Sequence, residues 1–258
     1  MAKASIVRVA LVVARSRRMI VLLVWWNRIL EEMTVSNIRG VILDVDGTLV
    51  LSNDAHAESW MEAMADFGYY VPYEKIRPLI GMGGDKVLPE TIGLQKDSED
   101  GIKISAKRKE IFQKKHLPTL QAAAGARELL EYMRVHGLEL AIASSAEKDE
   151  LKALLQVAGA SDLVQEETTS SDASRSKPDP DVMQVTLQRI GLAVNQVLML
   201  GDAPYDIEAA SKVGVGTIAL RCGGWSDREL KGALAIYNDP DDLLNHYDTS
   251  PLGDSWQE

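Results

Sequence analysis

The run Asp44-Val-Asp46-Gly47-Thr48-Leu49 sets two carboxylates two residues apart, directly after the apolar stretch Val41-Ile42-Leu43. On an extended backbone alternate side chains point the same way, so Asp44 and Asp46 can converge on one site. Gly47 allows a sharp turn straight after them. Ser144 and Ser145 follow a second apolar run, 138–143, and Gly201-Asp202-Ala203-Pro204-Tyr205-Asp206 follows a third, 197–200. Between these, Ser176-Lys177-Pro178-Asp179-Pro180 places a cation before a rigid turn that opens a helix. Acidic oxygens gathered in one place repel unless a cation joins them, and oxygen-only donors favour a hard ion, magnesium above others. Magnesium keeps part of its water shell and commonly shares its ligands with phosphate. Lys177 and the Ser144 hydroxyl then suit phosphoryl oxygens whose charge the metal only partly offsets. The expected partner is a small phosphorylated metabolite.

Such a set needs a scaffold that brings several chain segments to one rim. Short apolar runs at 41–43, 138–143, 197–200, 217–220 and 233–237 read as buried strands. Amphipathic stretches at 126–136, 147–158 and 206–213 lie between them, each followed by a glycine. This alternation predicts an α/β fold, a Rossmann-like parallel sheet with helices on both faces. In such sheets ligands sit beyond the carboxyl ends of the strands, where the acidic residues fall. Residues 54–118 break the pattern. Asp54 can cap a helix carrying Trp60, Met61, Met64 and Phe67 at helical spacing, and further helical patterns follow at 72–80, 86–92 and 98–115. The expected division is a helical cap over 54–118 and a catalytic core from 33–53 and 119–258.

Composition narrows the function. The 258 residues hold 28 basic and 38 acidic side chains, a net charge of −10, which argues against nucleic acid as a partner. The single Cys222 excludes an internal disulfide framework and any multi-cysteine zinc site, so a reducing cytoplasm is the expected compartment. Residues 1–32 stand apart, with Lys3, Arg8, Arg15, Arg17, Arg18 and Arg28 against only Glu31 and Glu32. Their two apolar runs, 6–14 and 19–26, fall short of the ~20 residues a membrane span needs. They read as an extension outside the fold, either disordered or adherent to a membrane surface, and membrane contact is expected only there. The sequence leaves the oligomeric state open.

Taken in order, Asp44-x-Asp46-Gly47-Thr48, Ser144, Lys177-Pro178 and Gly201-Asp202-x-x-x-Asp206 resemble the motifs of the haloacid dehalogenase superfamily. The resemblance covers residues 38–246. The successive gaps from Asp44 to Ser144, Lys177 and Asp202 are 100, 33 and 25 residues, and only the first has room for a cap. It therefore resembles the branch with a helical cap after the first motif, which includes phosphoglycolate phosphatases, sugar-phosphate phosphatases and β-phosphoglucomutase. The resemblance implies that Asp44 attacks phosphorus and forms an aspartyl-phosphate. It implies that Asp46 protonates the leaving oxygen and then takes a proton from water. Magnesium is implied at the Asp44 carboxylate, the Asp46 main-chain carbonyl and Asp202, with Asp206 reaching it directly or through water. Ser144, the Ser145 amide and Lys177 are implied as the phosphoryl clamp. Dehalogenases of this superfamily lack an acid at the Asp46 position and need no metal, so dehalogenation is not expected.

The remaining candidates lie in the cap. His56 falls where some mutases and sugar phosphatases of this branch carry a hinge histidine; otherwise it is an exposed side chain in the first cap turn. Gly81-Met-Gly-Gly-Asp-Lys86 fails the P-loop pattern and the dinucleotide fingerprint. As a lid loop it would aim Lys86 at the non-phosphate end of the substrate. Lys103, Lys107, Arg108, Lys109, Lys114 and Lys115 read as a solvated helix face. The expected activity is magnesium-dependent hydrolysis of a small phosphomonoester. The alternatives are a phosphomutase, a phosphonate hydrolase using Lys75 or Lys86 as an imine-forming lysine, and a non-catalytic interaction protein.

Overall fold

Val41, Ile42 and Leu43 are fully buried, and their alternation feeds two different cores. Val41 and Leu43 point to one face of the sheet and Ile42 to the other, as period-two geometry requires. A strand apolar on both faces belongs in the middle of a parallel sheet. The computed structural model, which describes residues 38–256, places it there. The expected extension over 1–32 lies outside the described residues.

The strands are β1 (Gly40–Leu43), β2 (Glu139–Ala143), β3 (Glu166–Thr168), β4 (Val197–Gly201), β5 (Gly216–Leu220) and β6 (Ala235–Tyr237). They form one parallel sheet in the order β3-β2-β1-β4-β5-β6, as expected for a Rossmann-like fold. The strand order reverses between β1 and β4. Register matters here: Leu43 pairs with Ile142 of β2 and with Leu200 of β4. The residues following these three strands therefore emerge at one level, which brings Asp44, Ser144 and Asp202 to a common rim. The Asp44 amide carries the ladder one step further by donating to the Leu200 carbonyl at 2.9 Å.

Nine α-helices occur among the described residues: α1 (Asn53–Asp66), α2 (Tyr73–Ile76), α3 (Gly84–Ile92), α4 (Glu99–Ile111), α5 (Ala126–Val135), α6 (Lys148–Val157), α7 (Asp181–Ile190), α8 (Pro204–Ser211) and α9 (Pro240–Asn245). Leu129, Leu130 and Met133 of α5 and Leu151, Leu154 and Leu155 of α6 cover one face of the sheet. Val182 and Met183 of α7 and Ala209 and Ala210 of α8 cover the other. Helices α1–α4 lie between β1 and β2 and pack round a core of their own, with Trp60, Met64, Ile76, Leu88 and Ile104 at its centre. The chain leaves and re-enters through paired segments, since Leu51 and Ala123 donate to the Gln121 and Leu49 carbonyls.

The helical pattern expected over 98–115 is not one continuous α-helix. It ends at Ile111 and continues as a wider π turn, Phe112–His116. The irregular turn places the Phe112 ring flat against His56, with centroids 4.2 Å apart. Strand β3 escapes the hydrophobic pattern because two of its three residues are exposed glutamates at the sheet edge. Among the described residues no helix is long and apolar enough to cross a membrane.

Candidate active site

Lys177 is the centre of the acidic rim. It is 1% exposed, and its Nζ lies 2.5 Å from Asp44 Oδ1 and 2.7 Å from Asp206 Oδ1. A buried ammonium needs such partners. Burial alone would lower its pKa, but Asp206 and Asp44 outweigh that and hold it above its ordinary value. Thr48 Oγ1 ties the two strand ends together, 3.2 Å from Asp44 Oδ2 and 3.2 Å from Asp202 Oδ1. On its far side Asp202 Oδ2 accepts from Asn53 Nδ2 at 2.8 Å. Asp206 sits in the first turn of α8, where its second oxygen accepts the Ala203 amide at 3.0 Å, the usual place for an acid at a helix start.

Four buried groups of one neighbourhood thus comprise three carboxylates and one ammonium, an excess of negative charge. Burial pushes the Asp44 carboxyl well up, and Asp206, Asp202 and Asp46 add to this against the pull of Lys177. Burial, then Asp206, pushes Asp202 up to about 7. One oxygen from each of Asp44, Asp202 and Asp206 lies within 4.8 Å of the others. An oxygen-only trio under mutual repulsion fits a hard divalent cation. The Asp46 carboxylate stands outside this trio.

Asp46 looks the other way, into the seam beneath the helical insertion. Its Oδ1 lies 2.6 Å from His56 Nε2 and accepts from Ser52 Oγ at 2.5 Å. Burial would raise the Asp46 carboxyl, but His56 and then Ser52 more than offset it, so its pKa falls below the usual value. On the other side of the imidazole, Arg108 Nη2 lies 2.5 Å from Nδ1. Arginine can only donate, so Nδ1 accepts and Nε2 carries the proton given to Asp46. His56 is therefore a buried side chain joining the insertion to the core, not an exposed one.

The serine and glycine segments meet at the same seam. Ser144 Oγ accepts the Ala146 amide at 3.0 Å, and Ser145 Oγ donates to the Gly81 carbonyl at 3.2 Å. The glycine-rich loop docks on the chain beside Lys177: the Gly83 amide donates to Ser176 Oγ at 3.0 Å, and the Ser176 amide to Asp85 Oδ2 at 3.2 Å. A side chain at Gly83 would meet the Ser176 Cβ at 2.8 Å, so only glycine permits this approach. Lys86 corrects the sequence reading. Its ammonium pairs with Asp179 at 2.7 Å and does not line the cavity; Lys75 is exposed and does not line it either.

That cavity runs from Asp44 and Asp46 up into the insertion and opens to solvent at its mouth. Its cations are Lys96, Arg108 and Lys109. Arg108 and Lys109 are a second correction, because the charged run on α4 is not uniformly solvated. Arg108 pairs with Glu150 of α6 at 2.7 Å, under Trp60 and Phe112, and Lys109 pairs with Glu147 at 3.0 Å. Thr48, Asn53 and Ser52 were also missed as site residues. Their neighbourhood to Asp44 and Asp46 was the available signal.

Acidic groups gathered where the strand order reverses, under a helical roof inserted after β1, define an α/β enzyme with a capped site. The chain belongs to the haloacid dehalogenase-like hydrolase family, whose model matches residues 41–220. Curated relatives named as phosphatases match most of its length. It is 27% identical over 184 residues to validoxylamine A 7'-phosphate phosphatase of Streptomyces hygroscopicus, covering 69% of this chain and 84% of that one. It is 25% identical over 213 residues to phosphoglycolate phosphatase of Rhodospirillum rubrum, covering 78% and 87%. A solved hydrolase of Pseudomonas syringae superposes with a TM-score of 0.75 at 32% identity, covering 81% of this chain and 98% of that one.

Proposed function

We propose that the chain hydrolyses a small phosphomonoester in two steps, with magnesium as cofactor. An Asp44 oxygen attacks phosphorus, the bond to the leaving oxygen breaks, and Asp46 delivers a proton to that oxygen. Water then attacks phosphorus, gives its proton to Asp46, and the bond to Asp44 breaks to release inorganic phosphate. Asp46 starts as a carboxylate held by His56; an arriving phosphoryl dianion raises its proton affinity, as a nearby like charge does, so it takes a proton from solvent before the first step and returns one to solvent after the second. Lys177, with the Ser144 and Ser145 loop, binds the phosphoryl oxygens. Asp44, Asp202, Asp206 and the Asp46 main-chain carbonyl would hold the magnesium, which would offset the repulsion between a carboxylate nucleophile and an anionic ester. The helices over 54–118 serve as the cap, shedding water and selecting the alcohol portion.

The observation that carries this reading is the contact between Lys177 and both Asp44 and Asp206, with Asp44 at the floor of a cavity open to solvent. It gives a buried cation and a buried nucleophile on one oxygen-rich floor. Phosphate release from a generic aryl phosphate tests it: activity that needs magnesium and vanishes in Asp44→Asn supports the reading. Release that is unchanged in Asp44→Asn removes the mechanism.

A further inference from the structure

Most of the polar lining of the cavity already has a partner. Asp44 and Asp46 engage Lys177 and His56, and Glu150 and Glu147 engage Arg108 and Lys109. The Ser145 and Ser170 hydroxyls donate to main-chain carbonyls. Three lining groups differ. Ser105 Oγ and Arg108 Nε are buried with no hydrogen-bond partner. Lys96, partly buried, forms no hydrogen bond or ion pair among the described residues. It acts on Glu147 only as a more distant charge.

All three groups can donate and none brings an anion. Ser105 and Arg108 are three residues apart on α4, so they share one helix face. Lys96 comes from the turn immediately before that helix. The Arg108 guanidinium is fixed over the Trp60 ring, 5.5 Å from its centroid, with both terminal nitrogens committed to Glu150 and His56. Its Nε edge is what remains. A buried donor left unpaired is costly and calls for a partner. Lys96, partly buried and without a direct partner, is free to meet an arriving anion.

We propose that Lys96, Ser105 and the Nε edge of Arg108 form a subsite for a second oxyanion, carried on the alcohol portion of the phosphomonoester. This rests on the phosphatase reading of the same cavity. An oxyanion accepts only, which matches three donor groups left without partners in a wall whose carboxylates are already engaged; a neutral sugar hydroxyl would bring a donor of its own. A carboxylate and a second phosphate share this chemistry, and the experiment separates them.

Three esters of one chain length supply the test: 3-phosphooxypropanoate, 1,3-propanediol bisphosphate and the neutral 3-phosphooxypropanamide. The full chain is expected to turn over one charged ester with kcat/KM about tenfold or more above the amide, the effect of one charge-assisted hydrogen bond. The better of the two charged esters identifies the anion. In Lys96→Met and in Ser105→Ala that preference is expected to shrink toward equality, more in the former. Ser105→Ala alone decides the matter should Lys96→Met not fold. Equal efficiency on all three esters by the unaltered chain overturns the subsite and leaves the phosphatase reading standing. A preference that survives both substitutions overturns the residue assignment. No turnover of any ester overturns the phosphatase reading, and the subsite with it.

Discussion

Arg108 Nη1 and Glu150 Oε2 lie 2.7 Å apart, a cation on the helical insertion held by a core carboxylate that is 3% exposed. The same guanidinium meets His56, and His56 meets Asp46. Two crossings of the seam, Glu150 to Arg108 and His56 to Asp46, thus form one continuous chain of contacts. Docking of the insertion and the orientation of Asp46 are then coupled. Glu150→Ala is expected to lower stability by about 3 kcal/mol, because it strands a largely buried guanidinium. It should also reduce kcat about tenfold with a smaller change in KM, since Asp46 loses its fixed orientation while the floor stays intact. Urea unfolding and steady-state kinetics measure the two effects. Glu150→Gln, which keeps an acceptor, should fall between.

Asp44→Asn should abolish turnover and yet stabilise the metal-free protein. The sign follows from its pKa, which burial and three neighbouring carboxylates hold well above the ordinary value. An acid raised in the folded state costs stability as pH climbs past its unfolded value of about 4. Removing it recovers that loss. At pH 7 without metal the variant is expected to melt about 2–4 °C higher than the unaltered chain, and the gap should close towards pH 4. Equal melting temperatures at pH 7 would show that the carboxylate carries no such penalty.

Magnesium should reverse that order. A cation bound by the folded protein and not by the unfolded chain raises the melting temperature, by an amount that grows with the logarithm of its concentration once this exceeds Kd. Titrating magnesium into the metal-free chain is expected to raise its melting temperature, and chelation to return it. Asp202→Asn removes one of the three clustered oxygens, so its response should need at least about tenfold more magnesium. Calorimetry of magnesium binding gives the same comparison without relying on turnover.

How legible these groups were depends on whether a local pattern carries them. Asp44 and Asp202 follow buried strands whose apolar runs are plain in the sequence, and the register of β1 with β4 does the rest. Lys177 was legible through the prolines that flank its turn. Arg108 was not. It sits in a run of like charges on α4, and only docking of that helix against Glu147 and Glu150 turns Arg108 and Lys109 toward the cavity. Lys86 was misplaced for a related reason: a glycine-rich loop next to a cation suggests reach, but Asp179, far off in sequence, intercepts it. Strand β3 lacked a signal because an edge strand with two exposed glutamates has no alternation to read.

Gly47 offers the most local test of how tightly the floor is built. Its φ is +82°, and a Cβ there would fall 2.2 Å from Asn53 Nδ2 and 2.3 Å from Asp202 Oδ2. Gly223 presses on the same carboxylate from the other side, where an added Cβ would lie 1.7 Å from Asp202 Oδ2. Asp202 is thus pinched between two glycines, with Asn53 pinning one oxygen and Thr48 the other. Gly47→Ala must pay for a left-handed backbone and displace that carboxylate, so it is expected to cost about 2–4 kcal/mol in urea unfolding. The displaced oxygen should also weaken the magnesium-dependent rise in melting temperature. Gly223→Ala, from a distant part of the chain, should reproduce that loss of metal response without the backbone strain of Gly47. If both alanine variants respond to magnesium as the unaltered chain does, Asp202 is not held by its glycine neighbours, and the rigidity ascribed to this floor is wrong.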